Sequence, residues 1–80
     1  MKLDVYQLAK ELDVQPGTLR AWLSNYRFNK NRISCKPMTF EITKDFLTCL
    51  EGYIGLKKRT PKINDTLHHV GFLRWRIGNE

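Results

Sequence analysis

Apolar side chains recur at helical spacing in three stretches of the chain and alternate with polar ones in a fourth. In the first stretch Val5, Leu8, Ala9 and Leu12 fall on one stripe of a helix. Asp4 stands just before the stripe and Gln7 three residues later, the spacing of a reciprocal capping box. Asp13-Val14-Gln15 breaks the period. Pro16 then suits the first turn of a second helix, where its missing N–H costs no hydrogen bond. Leu19, Trp22 and Leu23 give that helix its apolar side, to about Asn25.

Further on, Phe28 and Ile33 bracket the turn-prone Asn29-Lys30-Asn31, and Met38-Thr39-Phe40-Glu41-Ile42 alternates as a strand does. The pattern predicts a β-hairpin over residues 27–42, with a long connecting loop that includes Pro37. Thr43 is placed to cap a third helix over 43–54, with Phe46, Leu47, Leu50, Tyr53 and Ile54 on its apolar face and Gly55 ending it. Residues 56–62 read as a basic connector in which Pro61 is a stop. A last helix is expected over 64–76. Its apolar residues (Leu67, Val70, Phe72, Leu73, Trp75) spread wider than one stripe, and Gly71 interrupts them. Phe72 and Trp75 are too apolar for a free tail. Closing the small core is the expectation for them, with a self-association contact as the alternative.

Composition narrows the function classes. Eighty residues suffice for one domain over 1–80, and a chain of that size buries only roughly 60% of its unfolded surface. A substrate cleft with a catalytic constellation is hard to build on so thin a core, so neither an enzyme nor a small-molecule substrate is expected. With 41% hydrophobic and 28% charged residues the chain is not disordered by composition. No apolar run approaches the roughly 20 residues of a membrane span. Met1-Lys2-Leu3-Asp4 leads directly into polar periodic sequence, so no secretory leader is expected. Two cysteines, Cys35 and Cys49, are too few for a disulfide scaffold, and a cytoplasmic protein with reduced thiols is the expectation. His68 and His69 join those cysteines as zinc-ligand types, but the spacing lacks paired knuckles and adjacent histidines on a helix diverge. No metal and no cofactor is expected.

The charge changes the picture more. Fourteen Lys and Arg against eight Asp and Glu give +6. Residues 1–26 and 63–80 each balance to zero. Residues 27–44 carry five cations against one acid, +4, and residues 45–62 carry four against two, +2. The whole excess lies in two adjacent middle stretches, the footprint expected for a polyanion partner.

The segment Val5–Leu23 carries the sharpest motif. Two short helices around a tight turn need a small residue where the backbones meet, here Ala9. They also need apolar residues around it, here Leu8, Leu12, Val14, Leu19 and Trp22. The segment resembles a helix-turn-helix DNA-binding unit. Asp13 stands where that family usually carries glycine, and Asp tolerates the left-handed backbone such a turn uses. Pro16-Gly17-Thr18-Leu19-Arg20-Ala21-Trp22 is similar to the recognition-helix start of the MerR-like winged helix-turn-helix group, which includes phage and transposon excisionases. Phe40–Leu47 resembles the group's passage from wing strand to third helix. The likeness spans 4–25, extends loosely to Ile54, and is absent from Gly55 onward. Residues 27–39 are long for such a wing, and the long dimerisation helix and sensor region of full-length regulators are missing.

The resemblance implies a mainly α fold, a small winged helix-turn-helix with three to four helices and a short β-hairpin wing. It implies that the second helix enters the major groove and presents Gln15, Gly17, Thr18, Arg20 and Ala21 to the bases. Tyr6 would lie near the DNA backbone. Arg27, Lys30, Arg32 and Lys36 on the wing, with Lys57, Lys58 and Arg59 in the connector, would contact phosphates. The function so implied is sequence-specific binding of double-stranded DNA by a small transcriptional regulator or an excisionase-like architectural factor. It would act as a homodimer or cooperative assembly, because one unit reads few base pairs. The alternative is a protein-docking adaptor or accessory protein that uses the helix-turn-helix and the aromatic C-terminal segment as its surface. An RNA-binding module fits less well, since the aromatics do not form paired stacking motifs.

Overall fold

The computed structural model describes residues 1–78. The elements are β1 (Lys2–Asp4), α1 (Val5–Leu12), α2 (Pro16–Leu23), a 3-10 helix (Tyr26–Asn31), β2 (Arg32–Cys35), β3 (Met38–Glu41), α3 (Lys44–Gly55) and α4 (Pro61–Gly78). The fold is therefore mainly helical, with one three-stranded antiparallel sheet in the order β1-β3-β2.

The caps form as the sequence predicts. Asp4 Oδ1 accepts from the Gln7 N–H at 2.8 Å, and Gln7 Oε1 accepts from the Asp4 N–H at 3.0 Å, so two otherwise unpaired donors at the start of α1 are satisfied. Thr43 Oγ1 likewise accepts from the Phe46 N–H at 3.1 Å and starts α3.

Three expectations are corrected. First, the hairpin does not begin at residue 27. Residues 26–31 wind into the 3-10 helix because Asn25 caps it, its Oδ1 accepting from Arg27 N–H at 3.1 Å, and because Phe28 turns inward to 1% exposure. Arg27 and Lys30 thus lie on that helix, Arg32 in β2 and Lys36 in the turn to β3, which is only Lys36-Pro37. Second, Pro61 starts a helix. Thr60 Oγ1 accepts from Ile63 N–H at 3.2 Å, Pro61 takes the first helical position, and α4 runs past the expected 64–76 at both ends. Third, Phe72 and Trp75 do not close the core. The inward stripe of α4 is Ile63, Thr66, Leu67, Val70, Leu73 and Ile77. Phe72 and Trp75 stack on each other outside it, 56% and 61% exposed, with centroids 6.0 Å apart. In addition, Lys2–Asp4 pairs with β3 as a strand that no sequence pattern announced.

One hydrophobic core receives a contribution from every helix and from the sheet. Its centre is aromatic: the Phe46 ring lies 5.6 Å from Phe28 and 5.5 Å from Phe40, and Tyr53 meets Phe28 edge-on at 5.8 Å. α4 lies antiparallel along α3, with Arg74 paired to Glu51 at 3.2 Å and its terminal residue Gly78 against Lys44. Across the core, Arg76 pairs with Glu11 of α1 at 3.0 Å. No helix among the described residues is long and apolar enough to cross a membrane.

The two aromatic sets should respond oppositely to truncation. Phe46→Ala should cost about 3–5 kcal/mol, enough to unfold much of so small a domain. Phe72→Ala should stay within about 0.5 kcal/mol. Urea denaturation followed by circular dichroism distinguishes them, and comparable losses from both would contradict this placement of the core.

Candidate functional site

The α1–α2 unit is held from within and from outside. Asp13 sits in the left-handed region, at φ 54°, and is the one non-glycine residue with positive φ among the described residues. Its N–H donates to Lys10 O at 3.3 Å, and the Val14 N–H donates to Ala9 O at 3.0 Å, so the last carbonyls of α1 are satisfied. From outside, Lys62 Nζ pairs with Asp13 Oδ2 at 3.7 Å and donates to the Asp13 carbonyl oxygen. A cation at that end of α1 also faces the negative end of the helix dipole. Lys62 therefore fixes the turn to the start of α4.

α2 buries Leu19, Trp22 and Leu23 and turns Gln15, Gly17, Thr18, Arg20 and Ala21 to solvent. Gly17, Ala21 and Ser24 form the crest of the exposed side. The Ser24 hydroxyl folds back within 2.8 Å of Arg20 O and 2.9 Å of Ala21 O, so nothing large projects from the crest. On the flank toward α1, Arg20 Nη2 donates to the Tyr6 hydroxyl at 2.9 Å, and its guanidinium carbon lies 5.7 Å from the centre of the Tyr6 ring. That hydrogen bond and the ring together fix the direction of the guanidinium. On the other flank Gln15 and Thr18 line a cleft of about 270 Å³ facing Thr60, Ile63 and Thr66.

The basic residues separate into paired and unpaired sets. The three ion pairs between side chains among the described residues are Lys62–Asp13, Arg74–Glu51 and Arg76–Glu11, and each uses a cation of α4. Lys30, Lys36 and Lys58 are exposed, Arg32 is half-buried, and Arg59 donates to Asn64 Oδ1 at 3.4 Å. Arg27 and Lys57, thirty residues apart in sequence, meet on one ring. The Arg27 guanidinium carbon lies 5.3 Å and Lys57 Nζ 5.0 Å from the Tyr53 centroid, and Lys57 Nζ is also 5.7 Å from the Trp22 ring. Among the described residues no hydrogen bond, ion pair or ring contact joins Lys30, Arg32, Lys36 or Lys58 to this group or to α2.

Sequence reasoning assigned Tyr53 and Trp22 to the core alone and missed them as platforms. No local signal marked them, because Lys57 lies beyond the end of α3 at Gly55 and Arg27 comes from the 3-10 helix. Among the described residues no three His, Cys, Asp or Glu side chains converge. His69 Nδ1 lies 2.8 Å from the Asp65 carbonyl oxygen on its own helix, Cys35 is exposed, and Cys49 is half-buried, both as free thiols.

Gly17 is not required by packing, since a Cβ there meets no atom within 4 Å. Gly17→Ala should stabilise the fold by about 0.5–1 kcal/mol through lost unfolded-state freedom. A thermal melt should show a rise of about 2–8 °C, and a fall would place an unseen constraint at that position. No family model, curated protein or solved structure matches this chain.

Proposed function

We propose that this protein binds double-stranded DNA sequence-specifically as a winged helix-turn-helix, with α2 in the major groove. The observation that carries the reading is the outward side of α2. Its crest is flat at Gly17 and Ala21 and permits close approach, and Arg20 is held in a fixed direction by Tyr6. A guanidinium so held suits two parallel hydrogen bonds to guanine O6 and N7, and Gln15 can take adenine in the same manner. Thr18 reaches a thymine methyl or a phosphate. Among the described residues, Arg27, Lys30, Arg32, Lys36, Lys57, Lys58 and Arg59 have no acidic side chain within ion-pair distance, whereas the cations Lys62, Arg74 and Arg76 of α4 are all paired. The β2–β3 hairpin, with Lys36 at its turn, serves as the wing. Backbone contacts from these residues supply affinity and salt dependence rather than base choice. The role is that of a small transcriptional regulator or an excisionase-like architectural factor, acting as a dimer or cooperative array in the cytoplasm.

A second reading, a protein-docking adaptor, draws support from the stacked and exposed Phe72 and Trp75. The two readings part at DNA.

Selection of bound sequences from a random duplex pool should return a defined site. Arg20→Ala should lose about 1–3 kcal/mol at one base pair of it and relax the preference there. Lys30→Ala should weaken all duplexes alike and flatten the slope of log K against log salt by about 0.9. Absence of any duplex binding at micromolar protein and low salt would favour the adaptor. Unchanged preference in Arg20→Ala would remove α2 as the reader.

A further inference from the structure

We infer that Arg27 and Lys57 act together as one phosphate clamp on the duplex backbone, with the Tyr53 ring as its floor; this rests on the DNA-binding reading and deepens it. The two residues come from different parts of the chain, the 3-10 helix and the segment after α3. Their charges are separated by no more than the sum of their 5.3 Å and 5.0 Å distances to the Tyr53 centroid. Two like charges gathered on one aromatic residue repel each other, and the ring offsets only part of that. Among the described residues no acidic side chain lies within ion-pair distance of either one, although Lys62 is paired with Asp13. An anion shared between them removes the repulsion and completes the arrangement.

The chemistry favours a phosphodiester group. Arg27 offers planar, directional N–H donors and Lys57 a compact point charge, a combination suited to the oxygens of one phosphate or of two neighbours on the same strand. Both side chains are half-buried along aromatic surface, so their stems are already ordered and less freedom is lost on binding. The position is apt. Lys57 also rests against Trp22, which lies on the last turn of α2, while the residues assigned to bases begin at Gln15. One strand of a duplex read by the N-terminal half of α2 would pass this clamp at the other end of the helix.

A clamp predicts coupling, which independent surface cations lack. The test measures affinity for one random-sequence duplex over a salt series, for the parent protein, Arg27→Ala, Lys57→Ala and the double variant, with Lys58→Ala as an uncoupled comparison. Each single clamp variant should weaken binding and lower the salt slope, and the double variant should lose little more than either one. Lys58→Ala combined with Arg27→Ala should instead lose the product of the two separate factors. Tyr53→Phe should retain parent binding, and Tyr53→Leu should fall to the level of the single variants, provided its circular dichroism melt shows a folded protein. Multiplicative losses for Arg27 and Lys57, or no loss from either, would overturn the clamp and leave the reading of bases by Arg20 standing. Failure of the parent protein to bind any duplex would overturn both.

Discussion

The Phe46 ring holds this fold together, because three parts of the chain meet on it. Phe28 brings the 3-10 helix, Phe40 brings the middle strand of the sheet, and α3 carries Phe46 itself. Tilted ring pairs at these separations add directional attraction to the burial of large apolar area. With so small a domain there is no second core to take over. The hairpin is anchored through Phe40 and α3 directly, and α1 and α2 through the shared cluster that also includes Leu8, Leu19 and Trp22. Every surface described above, including the outward side of α2 and the Tyr53 platform, takes its position from this centre.

The interior and exterior residues of α2 illustrate how burial and display divide within eight residues. Leu19, Trp22 and Leu23 anchor the helix, which leaves a narrow strip of small side chains bordered by Arg20 on one flank and Thr18 on the other. The Tyr6–Arg20 contact is exposed and adds little net stability, since forming it replaces hydrogen bonds to water. Its value is orientational. The ion pairs of α4 act in a complementary way, drawing Lys62, Arg74 and Arg76 into structural contacts with Asp13, Glu51 and Glu11.

Much of this was legible in the sequence, and the reasons are local. The Asp4–Gln7 box and the Thr43 cap are set by spacing within four residues, so the chain announces them. The left-handed Asp13 follows from a short polar side chain in a three-residue turn. What escaped depends on partners far along the chain. β1 is three residues long, too short for alternation to register, and exists because β3 offers it an edge. The 3-10 helix depends on Phe28 finding Phe46 and Tyr53. Pro61 is the exception, a local miss: proline both ends and begins helices, and the adjacent Thr60, capping Ile63, makes it a start. The exposed residues of α2 could be identified from periodicity, whereas the meeting of Arg27 and Lys57 on Tyr53 required the tertiary fold.

The β2 strand has a consequence for how copies of this protein meet. It is an edge strand, bonded to β3 on one side only, with Ile33 exposed at 51%. Such a strand offers bare N–H and C=O groups to another chain. Here it is only four residues long, its register slips between Arg32 and Ser34, and Arg32 and Lys36 place like charges at its two ends. Shortness, irregularity and repulsion each discourage a second copy from adding its own strand there. Arg32 and Lys36 thus also discourage edge-to-edge polymerisation, and salt that screens them removes the electrostatic part of that protection.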